Sequence, residues 1–232
     1  MRESTVILLK AVVIAGAAAV LLLTSSCVQK QAENGVEKAI NILTISAGCN
    51  HSLALCEDGS VWAWGENRGG QLGNGEGGEL KGKEVLPVRV KKPKGMGKVV
   101  SISTGGFHSL ALCEDGSVWA WGYNKYGQLG NGGVRDDKEL LPVRVKKPKG
   151  IGKAVSISAG GNHSLALCED GSVWAWGYNK YGQLGNEKAG ENEEEHSPVR
   201  VETPKGMGKV TSISAGGDHS LALCENGSVW AW

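Results

Sequence analysis

Along most of the chain, apolar runs of strand length are broken by turn-forming residues in a fixed order. The clearest stretch runs from His163 to Trp176, His-Ser-Leu-Ala-Leu-Cys-Glu-Asp-Gly-Ser-Val-Trp-Ala-Trp, and near-copies begin at His51, His108 and His219. Asp-Gly at 58–59, 115–116 and 170–171, and Asn-Gly at 226–227, mark tight turns between two apolar runs, which predicts β-hairpins. With the two turn residues forming a type I′ loop, Cys56 faces Val61, Leu55 faces Trp62 and Leu53 faces Trp64. Because side chains alternate across a sheet, this register collects Leu53, Leu55, Trp62 and Trp64 on a bulky face. Ala54, Cys56, Val61 and Ala63 then form a small face, and such sheets can stack, bulky on small.

The repeat histidines lie 57, 55 and 56 residues apart, a period that suits a unit of several strands. Four strand-sized pieces recur in each unit. In the third they are Ala154 to Ser158, His163 to Glu169, Ser172 to Gly177 and Pro198 to Val201. A glycine-rich loop follows the third piece, Gly177-Tyr-Asn-Lys-Tyr-Gly-Gln-Leu-Gly-Asn186, and Gly122 to Asn131 matches it. In the first unit, Gly65 to Asn74, neither tyrosine is present. Fold class is therefore all-β, with repeats from residue 41 to 232.

Composition sharpens this reading at two points. Thirty-six glycines, a single phenylalanine and eight tryptophans confined to Trp-Ala-Trp triplets fit many short strands and tight turns. The net charge of +1 supplies no global field for nucleic acid. Residues 1–27 differ in kind: Lys10 precedes an uncharged run from Ala11 to Leu23, followed by Thr24-Ser25-Ser26-Cys27. The run falls short of the roughly 20 residues a bilayer span needs. It reads as a secretion signal, and the small residues before Cys27 resemble a bacterial lipoprotein processing site, although Thr24 stands where that motif usually has leucine. Residues 28–40 are polar and read as a tether.

The units resemble those of the regulator of chromosome condensation family. The residues that carry the likeness are Ile45-Ser-Ala-Gly-Cys-Asn-His-Ser-Leu-Ala-Leu55, its copies starting at Ile102, Ile157 and Ile213, and the Gly-x-Asn-x-x-Gly-Gln-Leu-Gly loops. The resemblance implies a β-propeller of four-stranded antiparallel blades, seven in the complete family fold. Three units and part of a fourth lie in this chain, so the expectation is a partial propeller of about 3.5 blades, either a fragment of a longer reading frame or one of two chains that complete a ring.

Candidate chemistry is sparse. One histidine per unit, at 51, 108, 163 and 219, gives no ligand spacing for a metal, so these are expected to bond turn backbone beside the glycines. Ser52, Ser109, Ser164 and Ser220 each follow a histidine but point to the opposite face of the strand, which disfavours a nucleophile and base. Cys56, Cys113, Cys168 and Cys224 share one repeat position. Sheets stacked about 10 Å apart are too distant for a disulfide, so buried thiols are expected. Cys49 stands where later units have Gly106, Gly161 and Gly217, and is the one candidate reactive thiol.

Strand direction puts the basic turns Lys91 to Lys98 and Lys146 to Lys153 on the same rim as the Glu-Asp-Gly turns, which neutralise them locally. The other rim carries the glycine-rich loops and three unlike inserts, Gly75 to Leu86, Gly132 to Leu141 and Glu187 to Ser197. Uniform blades carrying unlike loops make a scaffold for recognition. Expected partner-binding residues are Tyr123, Tyr126, Tyr178 and Tyr181, with Glu191, Glu193, Glu194 and Glu195 tuning attraction to a basic partner. The repeat histidines and Trp62, Trp64, Trp119, Trp121, Trp174 and Trp176 are expected to be structural.

The function expected is therefore a binding module without catalysis or cofactor, at a bacterial envelope or surface and anchored through Cys27, with a protein or glycan as partner. The resemblance also implies two alternatives: an exchange factor for a small GTPase, as in the nuclear member, and an enzyme inhibitor, as in a secreted bacterial propeller that inhibits β-lactamase. A purely structural surface repeat is a third.

Overall fold

The computed structural model describes residues 9–11, 23–25, 41–133, 138–190 and 193–232, the first two segments by backbone alone. Cys27, the expected tether at 28–40, Glu191 and most of the 1–27 segment lie outside the described residues. Strands β1 (Leu9–Ala11) and β2 (Leu23–Ser25) pair antiparallel as a separate two-stranded sheet. No helix among the described residues is long and apolar enough to cross a membrane.

The repeats fold into successive antiparallel sheets, each wound in chain order. The first blade contains β3 (Ile42–Ala47), β4 (His51–Cys56), β5 (Val61–Glu66) and β6 (Lys83–Arg89). The second contains β7 (Val99–Thr104), β8 (His108–Cys113), β9 (Val118–Tyr123) and β10 (Lys138–Arg144). The third contains β11 (Ala154–Ala159), β12 (His163–Cys168), β13 (Val173–Tyr178) and β14 (Glu194–Arg200). Three strands, β15 (Val210–Ala215), β16 (Ser220–Cys224) and β17 (Val229–Ala231), form the fourth. First strands of neighbouring blades contact one another and form the inner edge of an open, partial propeller. Serine hydroxyls tie that edge together: Ser103 Oγ accepts from Ala159 N at 3.0 Å, and Ser158 Oγ from Ala215 N at 2.9 Å.

The hairpin register differs by one residue from the type I′ expectation. Leu53 pairs with Ala63, Ala54 with Trp62 and Leu55 with Val61, so the loop holds three residues, Glu57-Asp58-Gly59. Only the glycine has positive φ, 76° at Gly59, 79° at Gly116 and 84° at Gly171, as in a type I turn closed by a glycine bulge. The aspartate explains the choice: Asp170 Oδ1 accepts from Ser172 N at 2.9 Å and Ser172 Oγ at 2.7 Å, with the same pair of bonds at Asp58 and Asp115. A side chain that caps the turn from its middle position favours this loop over one that needs two left-handed residues.

This shift of one residue overturns the assignment of bulky and small faces, because it moves every β5 side chain to the other side. Leu53 and Leu55 share a face with Val61 and Ala63; the tryptophans share the opposite face with Ala54 and Cys56. Each face now mixes large and small, and neighbouring blades interlock on the diagonal. The first core cluster joins Leu53, Leu55, Val61 and Ala63 of one blade to Ala111, Cys113, Trp119 and Trp121 of the next. Leucines cover alanine and cysteine, and tryptophans cover the alanine column opposite. Cys113, Cys168 and Cys224 are free and buried, and Cys56 is buried beside them in sequence position. Burial pushes the Cys113 and Cys168 thiols up, which suppresses the thiolate.

The fourth strands begin earlier than expected. Glu194 and Glu195 lie in β14, not in a loop, pairing with Tyr178 and Gly177. Lys138 and Glu139 likewise pair with Tyr123 and Gly122. The register shifts across each strand's proline, at 87, 142 and 198, so pairing lapses and then resumes. Proline lacks an N–H and is accommodated on an outer strand at such a bulge.

Candidate functional site

Alternating strand direction sends the Glu-Asp-Gly turns and the lysine-rich turns to one rim, where backbone bonds join them: Glu114 N donates to Lys98 O and Glu169 N to Lys153 O. The glycine-rich loops occupy the opposite rim, and their motif residues build them. Asn67 Oδ1 accepts from Leu72 N at 3.1 Å, Asn124 Oδ1 from Leu129 N, and Asn179 Oδ1 from Leu184 N. Gln128 Oε1 accepts from Tyr126 N, and Gln183 Oε1 from Tyr181 N. Leu72, Leu129 and Leu184 are fully buried beneath.

The loop backbone then receives the next blade. Gln71 O accepts from Trp121 Nε1 at 2.8 Å and from Ser109 Oγ at 2.9 Å; Gln128 O accepts from Trp176 and Ser164, and Gln183 O from Trp232 and Ser220. Each serine hydroxyl also meets the histidine of the preceding blade: His51 Nε2 to Ser109 Oγ and His108 Nε2 to Ser164 Oγ at 2.8 Å, His163 Nε2 to Ser220 Oγ at 2.9 Å. The expectation of a histidine bonded to turn backbone is thereby corrected. A reading confined to one unit could not reach it, because the partners lie about a full repeat apart.

Chemistry at these pairs follows from the bonds. The serine proton goes to a carbonyl, so Nε2 carries the histidine proton and donates, leaving Nδ1 bare and without a partner. Burial lowers the histidine pKa to about 4 at His51, about 3 at His108 and about 4 at His163. A neutral histidine donating to a fully buried serine is a structural rivet between blades. His219, with no following blade among the described residues, is exposed. The described residues hold no group of three or more histidine, cysteine or acidic side chains able to bind a metal.

The rim above the rivets carries a row of aromatic rings. Phe107 and Tyr123 lie 6.3 Å apart, Tyr123 and Tyr126 6.2 Å, and Tyr126 and Tyr178 4.7 Å, tilted by 65°, 73° and 46°. Tyr123, Tyr126 and Tyr178 are half-buried in this row, whereas Tyr181 is 60% exposed. Lys125 and Lys180 sit over the Tyr126 and Tyr181 rings at 5.8 and 5.5 Å. Of the expected glutamates, Glu194 Oε1 lies 3.0 Å from His196 Nε2, and Glu195 forms an ion pair with Lys188 at 3.4 Å. Cys49 is exposed at the inner turn, its N–H reaching Gly105 O at 3.4 Å. Phe107 was missed as a rim residue. The signal was present: it stands where the other units have Asn50, Asn162 and Asp218.

The comparisons agree with this architecture. The chain is 35% identical over 195 residues to the ultraviolet-B receptor UVR8 of Arabidopsis thaliana, covering 84% of this chain and 42% of the receptor. It is 37% identical over 188 residues to the probable E3 ubiquitin-protein ligase HERC6 of Homo sapiens, covering 81% of this chain and 18% of HERC6. Among solved structures, Prp20p from Saccharomyces cerevisiae, described with its binding to Gsp1p and histones, superposes with a TM-score of 0.71 at 29% identity, over 85% of this chain and 46% of that one. The chain thus spans less than half the length of these relatives. The RCC1-like domain model matches residues 15–232, and the chain belongs to the RCC1-like domain family.

Proposed function

We propose that the chain is a non-catalytic recognition module of a bacterial envelope, binding a protein partner through the rim of glycine-rich loops. The observation that carries this reading is the contrast between rims. One repeats a capped turn in every unit; the other bears the exposed Tyr181, the aromatic row and inserts that differ between blades. Rigid blades hold those unlike loops in register, and exposed tyrosines are frequent interface anchors. Relatives that are receptors and regulators support a binding role. In a pull-down with the full chain, Tyr181→Ala combined with a Gly/Ser replacement of residues 187–193 is expected to abolish capture of the partner. Retained capture, lost instead when Lys91, Lys92, Lys146 and Lys147 are reversed to glutamate, places the site on the other rim.

The envelope setting rests on residues 1–27. With Cys27 lipidated, Cys27→Ser moves the protein from the membrane fraction to the soluble exported fraction; unchanged membrane retention overturns the anchor. Similarity to Prp20p favours one second reading, catalysed nucleotide exchange on a small GTPase. Accelerated release of labelled GDP from such a GTPase by the chain would establish it in place of the envelope role.

A further inference from the structure

The rim opposite the glycine-rich loops carries one connection three times. Lys92-Pro-Lys-Gly-Met-Gly-Lys98 joins the first blade to the second, Lys147-Pro-Lys-Gly-Ile-Gly-Lys153 the second to the third, and Thr203-Pro-Lys-Gly-Met-Gly-Lys209 the third to the fourth. Met96 N donates to Pro93 O at 3.1 Å, Ile151 N to Pro148 O at 3.2 Å and Met207 N to Pro204 O at 3.0 Å. With φ of 92°, 94° and 94° at Gly95, Gly150 and Gly206, each is closed as in a type II turn, with Lys94, Lys149 or Lys205 at its apex. A Cβ built on any of these three glycines meets nothing within 4 Å, so the tips stand clear of the rest of the described chain. Met96 is buried and Ile151 and Met207 are half-buried, which leaves lysine as the exposed chemistry of each tip.

The neutralisation expected of the Glu-Asp-Gly turns is partial. Asp58, Asp115 and Asp170 each lie within the field of an arginine, Arg89, Arg144 and Arg200 respectively. With those charges set against each other, Glu57, Glu114, Glu169 and Glu225 face the eight exposed lysines of the three turns. None of the eight forms an ion pair among the described residues, whereas Lys81 and Lys188, in the inserts of the other rim, pair with Glu76 and Glu195. Lys91 and Lys146, just before the turns, lie back against Gly75 and Gly132 and add nothing to the tips.

The chain also enters the repeats here. Asn41 holds the position of Lys98, Lys153 and Lys209: its carbonyl accepts from Glu57 N at 3.0 Å, as theirs do from Glu114, Glu169 and Glu225. Residues 1–40, to which the export and anchoring signals were assigned above, therefore join the propeller at the lysine rim. Residues 28–40 separate Cys27 from Asn41, a reach of at most about 50 Å. An anchor at Cys27 thus holds this rim near the bilayer at high effective concentration.

We infer that the lysine rim is the face laid against an anionic phospholipid bilayer, the tip lysines meeting lipid phosphates and the glycine-rich loops turned away toward the partner. Three equal tips on successive blades offer spaced, flexible point charges, which suit a plane of mobile headgroups. A nucleic-acid base would need an aromatic platform, and the three turns contain none. The inference goes beyond the loop-rim reading and rests on the envelope setting only for which membrane the rim meets.

The test is sedimentation of the full chain with vesicles of phosphatidylcholine alone or with about 30 mol% phosphatidylglycerol added. The apolar leader is present in every arm, so the ratio of the two partition coefficients reports charge. That ratio is expected to be about thirtyfold in 0.1 M NaCl and to fall most of the way to unity in 0.5 M. Lys94→Gln with Lys149→Gln and Lys205→Gln is expected to reduce it to about threefold or less, since each lysine at an anionic surface contributes about fivefold. The tips touch nothing, so the urea midpoint is expected to stay unchanged. Lys81→Gln with Lys83→Gln and Lys125→Gln removes the same charge from the other rim and is expected to leave the ratio as it was. On bound protein, acetylation of the tip lysines by a water-soluble ester is expected to slow at least about fivefold, while that of Lys188 proceeds as in solution.

A ratio near one overturns the inference, as does a ratio that the two triple variants lower equally. Binding of a short DNA duplex that depends on the tip lysines, without a vesicle preference, overturns the lipid assignment. A thirtyfold ratio together with unchanged membrane retention of Cys27→Ser supports the rim and overturns the lipid anchor. A ratio near one with Cys27→Ser released overturns the rim and leaves the anchor in place.

Discussion

Trp176→Ala is expected to lower stability by about 3–5 kcal/mol, measured by urea denaturation of the full chain. The indole is fully buried in the interface between the second and third blades, among Leu110, Leu112, Val118, Ala120 and Leu129. Its ring also bears the backbone of the preceding loop: a Cβ on Gly130, which has φ of 62°, would sit 2.8 Å from the indole. Truncation therefore empties a volume that neither a rigid glycine turn nor a paired sheet can collapse to fill. Trp176→Phe separates packing from hydrogen bonding. Gln128 O loses the indole N–H but keeps the Ser164 hydroxyl at 2.9 Å, so the additional loss is expected to be near 1 kcal/mol. Trp64, half-buried and covered by no blade among the described residues, is the internal comparison, with an expected loss below about 2 kcal/mol on truncation. Equal losses at Trp64 and Trp176 would mean that the interlocked interface is not what the tryptophans stabilise.

Mild acid is expected to destabilise the protein before carboxylates titrate. His51, His108 and His163 have folded pKa values of about 4, about 3 and about 4, against 6.5 when unfolded. The folded value is the lower one, so the unfolded chain takes up protons first. The contribution is complete above the unfolded pKa and is lost as pH falls through 6.5 toward the folded values. Three such groups remove about 4 kcal/mol between pH 8 and pH 5.5, at 1.36 kcal/mol per unit of pKa difference. Asp115 and Asp170 are held below 3.8 by hydrogen bonds from Ser117 and Ser172, so their loss falls in a lower window and does not confuse the measurement. The check is the slope of unfolding free energy against pH between 7.5 and 5.5, which should approach three protons and fall by about one in His108→Gln. A flat profile over that interval would mean the rivets admit a charged imidazole.

Each rivet also shows why its parts were hard to read from sequence. Histidine and serine adjacent on one strand do point apart: His108 Nε2 meets Ser164 while Ser109 meets His51. What meets His51 is Ser109, from the next unit, together with the carbonyl of Gln71 from a loop between them. Sequence spacing within a unit carries no information about a contact made by stacking, and only the rotation from one blade to the next decides it. The loop rim shows the same limit. Missing loop tyrosines in the first unit were visible, but that Gly69 then lies against Tyr123 of the second blade required knowing which loop lies against which blade.

Repetition made the sheet order legible. Four copies of one apolar pattern with turn residues at fixed offsets leave few ways to bury their faces, and the family signature in the same residues names the propeller. Turn chemistry was less determinate. Asp-Gly permits both a two-residue and a three-residue loop, and the serine that follows, offering its N–H and hydroxyl to Asp58, Asp115 or Asp170, settles it. Because strand side chains have a period of two, that single residue of register decided which face every tryptophan occupies. The sequence by itself determined the order of strands within each repeat and the rim on which each loop emerges, since these follow from local pattern and strand direction. Only the tertiary structure decided the interlocking of faces, the histidine rivets and the approach of Gly69 to Tyr123, since each is a contact between blades whose geometry no single unit contains.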